Sequence, residues 1–198
     1  MNRPINAYLF DIGNVILSFD FNVAVEKLRN YGITHHEPLS QISETKNLYE
    51  AGEFDDEEFV ERAIAELGFK GTPQEFEQIW QEIFTENAPM VESIRELSQR
   101  EQPLYLLSNT NGLHMKHILR DYPIFAAFSG GVYSHEAKSM KPEPGMYEQA
   151  IARFGLVPEE TLYIDDLPAN IATGNSLGFR SHQYDLENHA AFVELIQA

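Results

Sequence analysis

The sequence predicts an α/β fold with a core made of an open parallel sheet of the Rossmann-like type. Short apolar runs at residues 7–10, 104–107 and 161–164 have the length and composition of buried strands. Helical patterns separate such runs along the chain, and strands that alternate with helices are typical of parallel βαβ units. Each run ends at polar residues, as expected where strands reach one edge of a sheet.

Three helices of the core are predicted from apolar spacing and from residues that begin or end helices. Pro144 suits the first turn of a helix, and Gly155 and Gly178 suit positions just after one. The predicted helices cover residues 91–100, 144–154 and 169–177.

A helical insertion interrupts this pattern after the first strand. From residue 21 to about residue 97 the strand signal disappears, and apolar residues recur at helical spacing. Asp55 and Thr72 suit helix N-caps, and Gly68 suits a C-terminal cap. These residues predict helices over 56–67 and 73–84. We therefore assign residues 1–20 and 98–198 to a Rossmann-like catalytic core and residues 21–97 to a helical cap.

The composition excludes several classes of function. The formal net charge is −17, and residues 21–97 hold 17 acidic and 6 basic side chains, a net −11. Such a surface repels phosphates, which argues against binding to nucleic acid or to anionic membranes. The chain has no cysteine, so disulfides and thiolate chemistry are excluded, and no apolar stretch reaches the roughly 18 residues of a membrane span. We expect a cytoplasmic protein, either a monomer or a weak homodimer.

Asp11 follows the first apolar run and is the candidate nucleophile. Gly13 and Asn14 permit a tight turn that leaves the carboxylate exposed at the sheet edge, where it can attack phosphorus and form an aspartyl-phosphate. The alternative is an aspartate that only caps a turn. Since ligands bind at the carboxyl ends of strands in open α/β sheets, polar residues after the other runs are expected to converge on Asp11.

Ser108 and Lys141 are the other candidate catalytic residues. Ser108, followed by Asn109, ends the second run, and a hydroxyl with backbone N–H groups at the start of a helix can bind phosphate oxygens. A simple helix cap is the alternative. Lys141 lies in a proline-stiffened loop, where a fixed ammonium can neutralise a carboxylate and a phosphoryl group, although most lysines are solvated surface residues.

Asp165 and Asp166 follow the third run and form a candidate metal site. Two adjacent carboxylates beside Asp11 are costly without a cation, and Mg²⁺ prefers an octahedron of oxygen ligands. The alternative is ordinary capping of the next helix. Asn170, one turn after Asp166, is expected to orient that ligand.

These segments resemble the motifs of the haloacid dehalogenase superfamily over nearly the whole chain: FDIGNV, LLSNTN, MKPEPGMY and YIDDLPAN. The stretch YEAGEFDDEEFVERAI further resembles the caps of bacterial sugar-phosphate phosphatases, including those acting on glucose 1-phosphate, and the phosphatase domain of epoxide hydrolases.

The resemblance implies roles for the residues at the matching positions. Asp11 is then the nucleophile, and Ser108, Asn109 and Lys141 bind the phosphoryl group of a small phosphorylated substrate. Mg²⁺ is bound by Asp11, the backbone carbonyl of Gly13 and Asp166. Asp165 and Asn170 lie behind these ligands.

The chain departs from the phosphatase pattern at Gly13, where an aspartate usually protonates the leaving group and later activates water. Loss of general acid–base help typically costs about 10²- to 10⁴-fold in rate. Similar sugar-phosphate phosphatases carry this glycine, so we expect slower turnover or good leaving groups rather than a dead enzyme. Histidines are candidate replacements, although a lone histidine is more often structural: His35, His36, His114 and His117.

The sequence thus favours a Mg²⁺-dependent phosphomonoesterase acting on a sugar phosphate. Candidate substrate contacts in the cap are Tyr49, Glu50, Phe54 and Trp80. A metal-independent 2-haloacid dehalogenase is the first alternative, but the pair Asp165–Asp166 counts against it, and a phosphomutase would depend heavily on the acid missing at Gly13. A sugar-phosphate binding protein without turnover is the alternative from a different class.

Overall fold

The structure, a computed structural model, describes residues 4–197, which form one α/β core and a helical layer above it. The strands are β1 (Ala7–Phe10), β2 (Leu17–Phe19), β3 (Phe84–Glu86), β4 (Leu104–Ser108), β5 (Gly131–Tyr133), β6 (Thr161–Asp165) and β7 (Arg180–Gln183). The helices are α1 (Phe21–Arg29), α2 (Pro38–Gln41), α3 (Ser43–Glu50), α4 (Asp56–Leu67), α5 (Pro73–Gln81), α6 (Ala88–Gln99), α7 (Gly112–Asp121), α8 (Ser134–Ala137), α9 (Pro144–Phe154), α10 (Pro168–Ser176) and α11 (His189–Gln197).

Within these residues, a five-stranded sheet in the order β5-β4-β1-β6-β7 forms the core. All of its pairings are parallel, and Phe10 at the end of β1 is in register with Leu106 of β4 and Ile164 of β6. The predicted fold class, an open parallel α/β sheet, is confirmed. Because β1 is central, residues that follow it lie between those that follow its two neighbours.

Helices cover both faces of this sheet, which explains why β1 is apolar without interruption. Tyr8 and Phe10 pack on one face in a cluster with α6, α7 and α11. Ala7 and Leu9 point to the other face and pack against α9. No helix in the described part of the chain is long and apolar enough to cross a membrane.

The predicted helix ends agree closely with the observed ones where caps were recognised. Asp55 accepts a hydrogen bond from the Glu58 N–H at the start of α4, and Gly68 ends this helix with a left-handed φ of 64°. Thr72 forms a capping box with Glu75 at the start of α5. The end of α5 differs, because the helix stops at Gln81, before Phe84 begins β3.

The helical layer, which we call the cap, comprises α1 to α5 (residues 21–83). Its helices enclose a cluster of aromatic rings that includes Tyr49, Phe59, Phe76 and Trp80. The antiparallel pair β2–β3 connects it to the core.

The predicted cap boundary at residue 97 differs from this structure. Residues 84–86 form a strand, and α6 buries Met90, Val91 and Ile94 in the same cluster as β1. We therefore propose that the core resumes after residue 83. Helical spacing shows that a helix has an apolar face but not which layer covers it, and a three-residue strand is too short to give a pattern.

A polar contact fastens the cap to the start of α7 in the core. The Tyr49 hydroxyl donates to Asp56 Oδ1 at 2.5 Å and accepts from the Leu113 N–H at 3.0 Å. Lys116 Nζ lies 2.6 Å from Asp56 Oδ2. Gly112 leaves room for this contact, because a Cβ there would lie 2.2 Å from Asp56 Oδ1.

The Tyr49→Phe substitution should therefore destabilise the protein by about 1–2 kcal/mol, because the buried Leu113 N–H loses its partner. Urea unfolding measures this loss. The matched control is Tyr31→Phe, whose hydroxyl bonds a Glu75 carboxylate at 3.2 Å near the surface, and which should cost less than about 0.5 kcal/mol. Equal losses in the two variants would contradict the cap–core contact.

Candidate active site

The ends of β1, β4 and β6 bring most of the predicted site residues together. Asp11, Asp165 and Asp166 each offer a carboxylate oxygen, and these oxygens lie within 4.8 Å of one another. Lys141 reaches the same place from the loop before α9, with Nζ 2.9 Å from Asp11 Oδ1. The register of the parallel sheet is the physical reason, since the three strands end side by side.

Lys141 is fully enclosed and holds this cluster together. Its ammonium lies 2.9 Å from Asp11 Oδ1 and 2.6 Å from Asp165 Oδ2, and it donates to the Leu107 carbonyl at 2.8 Å. Burial lowers the pKa of Lys141, but the two carboxylates outweigh this effect and hold the pKa above its ordinary value. The lysine is therefore charged, and it is no surface residue.

Asn109 positions the backbone of Lys141. Its Oδ1 accepts from the Lys141 N–H at 2.8 Å, and its Nδ2 donates to the Lys141 carbonyl at 2.9 Å. Asn109 was predicted to bind substrate. It does line the cavity described below, but its amide is already engaged on both sides by this loop.

Asp11 is buried, and its carboxylate is held by several donors. The Ile12 N–H donates to Oδ1 at 2.7 Å, next to the contact with Lys141. Burial raises the pKa of Asp11 to about 6, while the Lys141 charge and a hydrogen bond from Ser108 act in the opposite direction. The carboxylate is thus largely ionised at pH 7, as a nucleophile must be.

Ser108 differs from its predicted setting. It is the last residue of β4, and α7 begins four positions later, capped by Asn111, which accepts from the His114 N–H. Ser108 is therefore not the cap of this helix. Its hydroxyl lies beside Asp11 instead.

Asp165 is completely buried, and both of its oxygens accept hydrogen bonds. Oδ2 accepts from Lys141 Nζ and from the Tyr163 hydroxyl at 2.5 Å. Oδ1 accepts from the Leu167 N–H and from Asn170 Nδ2, each at 2.9 Å. The prediction that Asn170 orients Asp166 is wrong, because its amide bonds Asp165.

Asp166 is only half-buried and has fewer partners. Asn14 Nδ2 donates to its Oδ2 at 3.1 Å. Burial raises the pKa of Asp166, and the Asn14 hydrogen bond partly offsets that rise. Asn14 has a left-handed φ of 53°, a conformation that asparagine tolerates better than most residues.

The charges of this cluster fit a divalent cation. The three carboxylates and the one ammonium leave two negative charges uncompensated. Oxygen donors of this kind are the ligands that Mg²⁺ prefers. Asp11 and Asp166 have capacity left for a metal, whereas Asp165 is saturated by its four donors.

A cavity of about 70 Å³ lies next to this cluster, between residues that adjoin it in the core and residues of the cap. Its lining includes Gly13, Phe19, Phe21, Glu50, Ser108 and Asn109. Phe19 stands beside Gly13, where a Cβ would lie 3.0 Å from the phenyl ring. The ring therefore occupies space next to the position of the missing aspartate, a feature that the sequence alone does not reveal.

The predicted substrate contacts in the cap are only partly found at this cavity. Glu50 lines it. Tyr49 and Trp80 are instead buried in the aromatic cluster of the cap, and Phe54 lines a separate cleft beside Lys116. Tyr49 and Glu50, which are adjacent in α3, thus face different surroundings.

The predicted histidines do not provide a proton donor. His114 lines the cavity, but burial lowers its pKa to about 3, so it is neutral at pH 7. Its ring nitrogens contact the Trp80 carbonyl and the Asn111 amide. His117 pairs with Asp121, and His35 and His36 are exposed before α2.

An open parallel sheet that gathers carboxylates and a buried lysine at its C-terminal edge, beneath a helical cap, is typical of enzymes of the haloacid dehalogenase type. The chain belongs to the haloacid dehalogenase-like hydrolase family, which it matches over residues 5–178. The predicted family and the prediction of a hydrolase are thus confirmed.

Several known proteins are similar to this chain. D-ribitol-5-phosphate phosphatase of Bacteroides thetaiotaomicron is 29% identical, over 88% of this chain and 89% of its own length. A haloacid dehalogenase family enzyme of the same organism, solved with magnesium and inorganic phosphate, has a TM-score of 0.84 and 24% identity over 92% of this chain and 95% of its own. A hydrolase of Porphyromonas gingivalis has a TM-score of 0.82 and 25% identity over 99% of this chain and its whole length.

The Lys141→Met substitution should destabilise the protein by about 3–5 kcal/mol, because it leaves two buried carboxylates without their counterion. Urea unfolding with and without Mg²⁺ measures this, and the cation should restore part of the loss. Lys70→Met, at an exposed lysine, is the control and should change stability by less than about 0.5 kcal/mol. A loss below about 1 kcal/mol for Lys141→Met would contradict the buried charge cluster.

Proposed function

We propose that this hydrolase is a Mg²⁺-dependent phosphomonoesterase acting on a small phosphorylated polyhydroxy metabolite, either a sugar phosphate such as glucose 1-phosphate or an alditol phosphate. The observation that carries the proposal is the buried pair of Asp11 and Lys141 beside two further carboxylates. A nucleophile with an adjacent ammonium and a surplus of negative charge suits a site that binds a dication together with a phosphoryl group. The similar phosphatase for D-ribitol 5-phosphate supports the substrate class.

The residues of the site suggest a reaction in two steps. Asp11 attacks phosphorus, the bond from phosphorus to the ester oxygen breaks, and an aspartyl-phosphate forms. The Ser108 hydroxyl and the Lys141 ammonium hold the phosphoryl oxygens, and water then attacks phosphorus and releases Asp11. Asp11, the Gly13 carbonyl and Asp166 would hold Mg²⁺, and the bound ion would neutralise charge on the phosphoryl group.

The cap must open to admit a substrate. The cavity of about 70 Å³ is small compared with typical ligand pockets of about 300–1,000 Å³. Closure around the substrate excludes bulk water and brings the aromatic ring of Phe21 to the bound metabolite.

A binding protein without turnover is the second candidate, and one observation favours it. Gly13 lacks the usual carboxylate, and Phe19 fills the adjoining space. A dehalogenase is disfavoured, since a carbon-attacking aspartate needs no dication and would leave the surplus charge near Asp166 without a role.

Phosphate release from a panel of phosphomonoesters tests the proposal. The parent protein should release phosphate from sugar or alditol phosphates with Mg²⁺ and lose activity with EDTA. Asp11→Asn should abolish release, while Asp121→Asn, at an exposed surface pair with Arg120, should retain it. Binding of an ester without release would favour the binding protein, and halide release without metal would favour a dehalogenase.

Asp166→Asn should weaken Mg²⁺ binding at least about tenfold, because a half-buried carboxylate becomes a neutral amide. Isothermal titration calorimetry measures this Kd without reference to activity. An unchanged Kd would exclude Asp166 as a ligand.

A further inference from the structure

We propose that Glu50, carried by the cap, is the general acid and base of the reaction and takes the place of the carboxylate missing at Gly13. This inference rests on the proposed phosphatase function. It assigns to Glu50 a direct contact with the leaving-group oxygen and with the attacking water.

Among the described lining residues, Glu50 and His114 are the side chains that carry a carboxyl or imidazole group. The His114 ring stacks on Trp80 and meets Phe84 edge-on, and its Nε2 lies 3.0 Å from the Trp80 carbonyl. A ring held between two protein partners cannot transfer a proton to a substrate.

Glu50 has the geometry that His114 lacks. It is the last residue of α3, and it lines the same cavity of about 70 Å³ as Gly13 and Ser108, which lies beside Asp11. Its side chain is only 14% exposed. The carboxylate is therefore largely shielded from bulk solvent.

Lys46 holds the Glu50 carboxylate in place. Its Nζ lies 3.0 Å from Glu50 Oε2, one helical turn earlier on α3, and 5.9 Å from the centre of the Phe21 ring. This contact fixes one oxygen of the carboxylate. Proton transfer is assigned to the other oxygen.

The neighbouring residue ties Glu50 to the core. Tyr49 bonds the Leu113 N–H at the start of α7, the helix that follows Ser108 and Asn109 along the chain. Closure of the cap thus places Glu50 in a defined position relative to the phosphoryl-binding residues.

The proton balance closes over one turnover. As Asp11 attacks and the bond from phosphorus to the ester oxygen breaks, Glu50 passes to that oxygen a proton from Lys46 Nζ, 3.0 Å away, and an alcohol leaves. The Glu50 carboxylate then takes a proton from water as the water oxygen bonds to phosphorus, and the bond from phosphorus to Asp11 breaks. That proton returns to Lys46, and inorganic phosphate is released.

The test compares Glu50→Gln with the parent protein on two simple esters, propyl phosphate and p-nitrophenyl phosphate, with Mg²⁺. Propyl phosphate has a poor leaving group and no hydroxyl to recognise, so its turnover should fall about 10²- to 10⁴-fold. p-Nitrophenolate leaves without a proton. A rapid burst of about one p-nitrophenolate per protein should therefore persist at the parent rate, followed by slow steady-state release as the aspartyl-phosphate accumulates.

Glu44→Gln is the matched control, since it makes the same change on the exposed side of α3 and should leave both rates unchanged. A rescue tests the assignment further: Gly13→Asp with Phe19→Leu, which makes room for the new side chain, should raise propyl phosphate turnover of Glu50→Gln at least about tenfold.

Other outcomes overturn the proposal in different ways. Equal loss of the burst and of propyl phosphate turnover would mean that Glu50 only positions the cap. Unchanged turnover of propyl phosphate, with loss confined to the KM for ribitol 5-phosphate, would make Glu50 a group that binds substrate hydroxyls. Inactivity of the parent protein on every ester would instead overturn the phosphatase function itself.

Discussion

The buried ammonium of Lys141 is the contact on which the arrangement of the site depends. It joins Asp11 after β1, the Leu107 carbonyl in β4 and Asp165 in β6, and so connects three adjacent strands at the edge where they end. Without this charge the two buried carboxylates would repel each other in a medium that screens poorly. One lysine balances only part of the acidic charge, and the remainder defines a site for a dication. Asn109 keeps the lysine in place by bonding the Lys141 backbone on both sides.

The same connection between β4 and α7 also positions the cap. Ser108 ends β4, and Asn111 caps α7. The first residues of α7 contact Tyr49 and Asp56 of the cap. A carboxylate at the N-terminus of α7 gains from the helix dipole as well as from Lys116. The cap is therefore attached to the connection that follows Ser108 rather than to a distant surface. The directional hydrogen bond between Tyr49 and the Leu113 N–H limits how far the cap can shift relative to α7.

Much of the fold and of the site was predictable, and the failures have physical causes. The apolar runs predicted the strands, because strands of a sheet covered on both faces are apolar throughout. The ends of these runs predicted Asp11, Ser108 and the pair Asp165–Asp166 as site residues. The partner of Asn170 was mispredicted, and the boundary that we propose before α6 differs from the predicted one, since both depend on which of several neighbours a side chain meets in three dimensions. The position of Phe19 beside Gly13 was not predictable from the sequence, because an aromatic residue in a short strand indicates packing but not its partner.

The departure at Gly13 also changes the charge and shape of the site, beyond the loss of one carboxylate. A further aspartate in this loop would add to a cluster that already carries two uncompensated charges, so glycine leaves an excess that a single dication balances. Asn14 accepts the left-handed turn and uses its amide to support Asp166. A proton-transferring group is then best placed away from the carboxylates, where it does not compete for the cation. The cap is the part of the molecule that can supply such a group, because it faces the cavity from the side opposite the sheet.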